Sequence, residues 1–154
     1  MKRFLYFLIA ACVVGADQLT KNLASVYLRS GTEVPLIKGV FSLIYTENRG
    51  VAFSLFQDGG WFFIPLSTIV AMVVIWAILR MDARKTWLML GLSFVLGGAA
   101  GNLMDRVFAG YVVDFFYFKL INFPVFNTAD SFVVAGAVML GIWFVFMDKK
   151  KEAL

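Results

Sequence analysis

Four long apolar runs dominate the chain, separated by stretches in which polar, glycine and proline residues collect. They extend from Phe4 to about Leu28, from Trp61 to Leu79, from about Thr86 to Met104 and from Phe126 to Met147. Each is close to the ~20 residues an α-helix needs to cross the ~30 Å hydrocarbon layer of a bilayer. The pattern predicts four transmembrane helices, over about 4–28, 61–79, 86–104 and 126–147, joined by long connections at 29–60 and 105–125. Segment 33–56 does not read as a span, because Pro35, Gly39 and Gly50 interrupt it. Within it, Val40-Phe41-Ser42-Leu43-Ile44-Tyr45-Thr46 is rich in β-branched and aromatic residues. That composition predicts a small β-sheet between the first and second helices. The expected fold class is an all-α membrane protein carrying this sheet, with residues 1–154 forming one membrane-embedded domain.

Basic residues orient the spans, since Lys and Arg accumulate on the cytoplasmic side. Lys2 and Arg3 precede the first run, Arg80, Arg84 and Lys85 fill the loop after the second, and Lys149, Lys150 and Lys151 follow the fourth. All three clusters fall on one side, so both termini are expected in the cytoplasm and segments 29–60 and 105–125 outside. Lys2-Arg3 before an apolar run also resembles a signal peptide, and Ile9-Ala10-Ala11-Cys12 loosely resembles a lipoprotein cleavage box. The apolar run before Cys12 is short, however, and Asp17, Gln18 and Lys21 read as part of a site, so the first run is expected to be retained.

Composition agrees with a membrane protein. The chain of 154 residues is 61% hydrophobic and 16% charged, against about half apolar and a quarter charged in a soluble domain. The net charge of +4 comes from segment ends and forms no surface stripe, so no nucleic-acid partner is expected. There is one cysteine, Cys12, and no histidine. These absences exclude an intrachain disulfide, cysteine clusters, histidine-based zinc sites, Ser-His-Asp triads and Cys-His dyads. No metal or other cofactor is expected.

The polar residues inside the runs are the candidates for chemistry. With the first span rising outward at 1.5 Å per residue, Asp17 lies ~20 Å above Phe4, in the outer third of the bilayer. Lys21 is one turn further on the same face. The third span also rises outward and ends on Asn102, Asp105 and Arg106, with Asn102 and Arg106 on one face. The fourth span descends from Asn127 and Asp130, again on one face, and Asp114 lies in the outer loop between. All these groups converge near the outer interface. Taken singly, most have ordinary readings: Asp17 with Lys21 as an ion pair, Arg106 as an interfacial anchor, Asn102 and Asn127 as interhelical bonds, and Asp130 as a first-turn charge facing the helix dipole. Gly97 and Gly101 read as a close-packing pair.

Asp114, in Val112-Val113-Asp114-Phe115-Phe116, and Asp130, opening an apolar run, sit where a carboxylate is costly unless paired, protonated or wetted. Two carboxylates that meet can share a proton and activate water for hydrolysis without a metal or a covalent intermediate. A Ser25–Lys21 dyad is a competing hydrolase reading, although a lysine paired with Asp17 makes a poor base. A proton-coupled membrane carrier is the non-enzymatic alternative, against which the polar groups cluster at one face and form no path to the other.

Five blocks then carry a resemblance over nearly the whole chain: Asp17-Gln18-x-x-Lys21; Asn48-Arg49-Gly50-Val51-Ala52-Phe53-Ser54; Gly97-Gly98-Ala99-Ala100-Gly101-Asn102-x-x-Asp105-Arg106; Val112-Val113-Asp114-Phe115; and Phe126-Asn127-x-Ala129-Asp130-Ser131. In this order, and with no departure at a polar position, the chain resembles the lipoprotein signal peptidases (signal peptidase II), aspartic proteases of the bacterial inner membrane. The resemblance implies four transmembrane helices with a small periplasmic sheet. It implies removal of the signal peptide from diacylglyceryl-modified prolipoproteins, by cleavage before the lipidated cysteine. It implies a catalytic pair at Asp114 and Asp130, with supporting positions at Asp17, Lys21, Asn48, Gly50, Asn102, Asp105, Arg106 and Asn127. Sensitivity to the peptide antibiotic globomycin is also implied. Membrane lipids are the expected surroundings and a monomer the expected state, with the stretch 40–60 as a flap over the site.

Overall fold

The computed structural model describes residues 2–50 and 60–147, with side chains from residue 63 onward in the second stretch. Helices α1 (Lys2–Tyr27), α2 (Gly60–Arg80), α3 (Thr86–Phe108) and α4 (Thr128–Ile142) form the body of the fold, and α4 continues into a π-helical turn, Trp143–Met147. Together they supply four segments long and apolar enough to cross a membrane. The expected flanking residues Lys149–Lys151 and the motif stretch Val51–Ser54 lie outside the described residues.

Helix α3 packs against each of the other three helices. Its glycines permit this. A Cβ at Gly97 would lie 2.6 Å from Val13 Cβ and 2.7 Å from the Ala10 carbonyl oxygen, so α1 can approach only a bare backbone there. In lipid, where apolar side chains gain little by leaving their surroundings, such close backbone approach is a main source of helix association. At one end of the bundle, Tyr6 and Ala10 pack with Val74, Ile78, Leu88, Met89, Leu92 and Leu96. The Tyr6 hydroxyl donates to the Ala83 carbonyl at 3.2 Å and Arg3 to that of Met81 at 3.3 Å. The basic N-terminus and the basic α2–α3 turn therefore share an end, as the charge pattern predicts.

Two expectations change. Helix α3 runs to Phe108, about a turn beyond Met104, so Asp105 and Arg106 belong to the helix and not to the connection. The helix closes with the Ala109 amide on the Asp105 carbonyl at 2.8 Å, and Gly110 then turns the chain with φ +79°. The sheet, in turn, is not confined to the segment between the first two helices. Strands β1 (Val34–Ile37) and β2 (Phe41–Asn48) are joined by β3 (Val112–Phe118) from the α3–α4 connection, in the antiparallel order β1-β2-β3. The run Val112–Phe118 is β-branched and aromatic at every position except Asp114, so it suits a pleated surface. Asp114 thus stands on a strand, opposite Thr46, and not in a loop.

The sheet rests on α1 through Ala24, Leu28 and Phe115. The Phe126 amide and carbonyl both bond to Phe116, at 3.0 and 2.8 Å. That bridge returns the chain to β3 just before α4 begins, and so brings the first turn of α4 beside Asp114.

Candidate active site

Side chains alternate across a strand, so Val112 and Asp114 point to the same side of β3. Both are turned inward, Asp114 with 2% of its surface exposed. The carboxylate is not left unpartnered. Asn48 Nδ2 donates to its Oδ2 at 2.8 Å, and Asn127 Nδ2 to its Oδ1 at 2.7 Å. Asn48 is held in turn by the Gly50 amide, which donates to Asn48 Oδ1 at 3.0 Å.

Asp130 is placed by the start of α4. Asn127 is the cap: its Oδ1 accepts from the Asp130 amide at 2.9 Å, while Asp130 Oδ2 accepts from the Asn127 amide at 3.2 Å. This reciprocal capping box satisfies amides that a helix start otherwise leaves open. The other Asp130 oxygen accepts from Asn102 Nδ2 at 2.8 Å. Asn127 therefore touches both carboxylates, and its Nδ2 also lies 3.1 Å from Asn102 Oδ1.

Behind this pair lies a buried ionic cluster. Lys21, 4% exposed, directs its ammonium at Asp17 Oδ2 (2.7 Å), Asp105 Oδ2 (2.6 Å) and Asn102 Oδ1 (2.8 Å). Asp17 is fully buried, and its Oδ1 accepts from the Ala129 amide in the first turn of α4 at 2.9 Å. A Cβ at Gly101 would come within 2.5 Å of Asp17 Oδ2, so the absence of a side chain there makes room for the carboxylate. The cluster ties α1, α3 and α4 together just beneath the two aspartates.

Burial pushes the Asp114 carboxyl up to about 6; the Asn48 and Asn127 amides oppose this and the nearby Asp130 charge adds to it. A carboxyl of this kind holds or releases a proton close to neutrality, as acid–base chemistry requires.

Most of the residues singled out in the sequence thus meet: Asp17, Lys21, Asn48, Gly50, Asn102, Asp105, Asp114, Asn127 and Asp130. Arg106 lies alongside. It donates to the Asn102 carbonyl at 3.4 Å and its guanidinium sits over the Phe63 ring at 5.4 Å; among the described residues it forms no ion pair with either aspartate. Ser25 does not form a dyad, because its hydroxyl donates to the Lys21 carbonyl at 2.9 Å while the Lys21 ammonium faces its three acceptors. Sequence reasoning gave too little to Gln18, which donates to Asp105 Oδ1 at 2.8 Å, and nothing to Thr20 and Thr128, whose hydroxyls meet at 2.8 Å. In the sequence Gln18 reads as part of a site beside Asp17 but is given no role of its own; the threonines look like any helix hydroxyl. Among the described residues, no three acidic or cysteine side chains are grouped so as to hold a metal ion.

A family model for signal peptidase (SPase) II matches residues 9–146. The lipoprotein signal peptidase of Brevibacillus brevis is 43% identical over 147 residues, covering 96% of this chain and 98% of that protein. That of Caldanaerobacter subterraneus is 47% identical over 139 residues, covering 90% and 94%. A solved bacterial membrane enzyme superposes with a TM-score of 0.85 at 27% identity, over 96% of this chain and 90% of its own.

Proposed function

The chain belongs to the signal peptidase II family, and we propose that Asp114 and Asp130 are the catalytic pair with which it removes the signal peptide from diacylglyceryl-modified prolipoproteins. The observation that carries this assignment is Asn127, whose side chain bonds to Asp114 and caps the helix turn that holds Asp130. One residue thereby sets both carboxylates against each other.

The chemistry follows from that pairing. Asp130, in the first turn of α4, faces the positive end of the helix and takes the proton from a water. Asp114, more deeply buried, carries the shared proton. The water oxygen bonds to the scissile carbonyl carbon as Asp114 gives its proton to the carbonyl oxygen. The tetrahedral diol then collapses: the C–N bond breaks, Asp130 delivers its proton to the leaving amine, and a diol proton returns to Asp114. The leaving amine is that of the lipidated cysteine. Asn48, Asn102 and Asn127 hold the carboxylates in place throughout, and Arg106 with Asn102 supports the substrate backbone.

The depth of the site suits this substrate. A signal peptide is an apolar helix, and a diacylglyceryl group keeps its cysteine at the membrane surface. The aspartates lie at the sheet end of the bundle, opposite the end where Arg3 meets the α2–α3 turn. By the positive-inside rule the sheet end is periplasmic and both termini are cytoplasmic in the bacterial inner membrane. Of the stretch 40–60 expected as a flap, Phe41–Asn48 is strand β2, whose Asn48 reaches Asp114, and residues 51–59 lie outside the described part. The protein acts as a monomer, and globomycin inhibits it by placing a hydroxyl between the carboxylates.

A mobility-shift assay in liposomes tests the reading. A diacylglyceryl-modified precursor is expected to be shortened to a product beginning at the lipidated cysteine, and the same precursor without the lipid to stay intact. Proton-driven flux without cleavage of either would overturn it.

A further inference from the structure

We infer that Lys21 is a positioning residue for proteolysis: by holding the oxygen of the Asn102 side chain, it turns that amide so that its NH2 group faces Asp130. The inference rests on the assignment of Asp114 and Asp130 as the catalytic pair.

An asparagine amide has nearly the same shape when rotated by half a turn, so its neighbours must choose its direction. Around Asn102 they all choose the same one. An ammonium can only donate, and Lys21 donates to Asp17 Oδ2 and Asn102 Oδ1 while its charge pairs with Asp105 Oδ2. Asn102 must therefore present oxygen to Lys21, which leaves Nδ2 for Asp130 Oδ1 at 2.8 Å. Asn127 reinforces this. Its own direction is fixed by the Asp130 backbone amide on its Oδ1, so its Nδ2 faces Asn102 Oδ1 and Asp114. A reversed Asn102 would set NH2 against the ammonium and against Asn127 Nδ2, and oxygen against the Asp130 carboxylate. Two groups that touch no substrate, the Lys21 ammonium and one backbone amide, thus aim amide hydrogens at both aspartates.

A purely structural Lys21 would only neutralise Asp17 and Asp105. The two roles differ in what they do to the acid limb of the kcat/KM profile, which reports ionisation of the water-activating carboxylate. Among the described residues, the charged groups around Asp130 are Asp114 on β3, Arg106 and Asp105 on α3, and Lys21 with Asp17 on α1. Loss of the aimed amide removes a hydrogen bond from Asp130 that neutralising Asp17 and Asp105 would not restore.

The experiment measures cleavage of a lipidated precursor against pH for Lys21→Met, Asn102→Leu and the double variant in liposomes. The expected result is a limb shifted by about one pH unit in each single variant and no further in the double. A limb that stays in place for Lys21→Met, with activity lowered evenly at all pH values, overturns the inference. So does a second full shift when Lys21→Met is added to Asn102→Leu, because the lysine would then act by its charge alone. If Lys21→Met does not fold, Lys21→Met with Asp105→Asn keeps the net charge of the cluster and carries the same prediction. Near-normal turnover in Asp114→Asn or Asp130→Asn would instead remove the catalytic pair itself, a separate failure.

Discussion

Helices α1 and α3 meet twice, by different means. Near their basic end, Tyr6 and Ala10 lie against Leu88, Met89, Leu92 and Leu96 in an apolar cluster. Two to three turns further along the same helices, Asp17 and Lys21 lie against Gly101, Asn102 and Asp105. The first contact works by shape, and apolar cores of this kind tolerate repacking when volume is kept. The second works by direction. Each donor must face an acceptor, as Lys21 and the Asn127 amide do, and a half-satisfied buried network is worse than none. The same helix pair therefore provides a forgiving scaffold at one end and a constrained arrangement of polar groups at the other, which is where the proposed catalytic pair sits.

Substitutions should separate the two ends. The largest effect outside the carboxylates is expected at Asn127. Asn127→Leu removes a donor from Asp114 and uncaps α4, so turnover of a lipidated precursor should fall by about 10²-fold or more, while the lost cap costs about 1–2 kcal/mol in thermal unfolding. Turnover within threefold of wild type would show that the polar layer is no more exacting than the apolar one.

A pH effect on stability comes next. The folded Asp114 carboxyl is raised from 3.8 to about 6, so the folded protein holds this proton more tightly than the unfolded chain. Its contribution is most favourable below pH ~4 and is lost as pH rises through ~6, a swing of roughly 3 kcal/mol at 1.36 kcal/mol per unit. Glu33 and Glu47, held below their ordinary range chiefly by Lys119 and Tyr45 respectively, push the other way but do so in any variant. Asp114→Asn should therefore flatten the fall of wild-type melting temperature between pH 4 and 6, as followed by scanning fluorimetry. An unchanged slope would mean that Asp114 is not buried as described.

The smallest effect is expected between the two contacts. Gly97→Ala forces a Cβ against Val13 and the Ala10 backbone, which should lower stability by about 1–3 kcal/mol and leave turnover per folded molecule within a fewfold. A loss of turnover with unchanged melting would mean that helix separation, and not bond direction, controls the site.

The apolar end was legible in the sequence because hydropathy is local: the four runs match α1 to α4 within a few residues. The polar end was legible only where partners are neighbours, as for Asp17 and Lys21 one turn apart. Asp105 and Arg106 look like a helix boundary because they are charged, yet α3 continues through them, with Asp105 neutralised by Lys21 from another helix. Strand β3 was missed because its composition suits a strand but its partner is far away, with Asn48 and Asp114 separated by 66 positions. The direction of an amide, on which the site depends, leaves no mark in a sequence at all.

The most direct test of the central claim is cleavage of a diacylglyceryl-modified precursor by Asp114→Asn and Asp130→Asn proteins in liposomes, with melting temperature measured on the same samples. Each variant is expected to remain folded and to lose at least about 10³-fold in turnover. A folded variant of either kind that cleaves within tenfold of wild type would contradict the account.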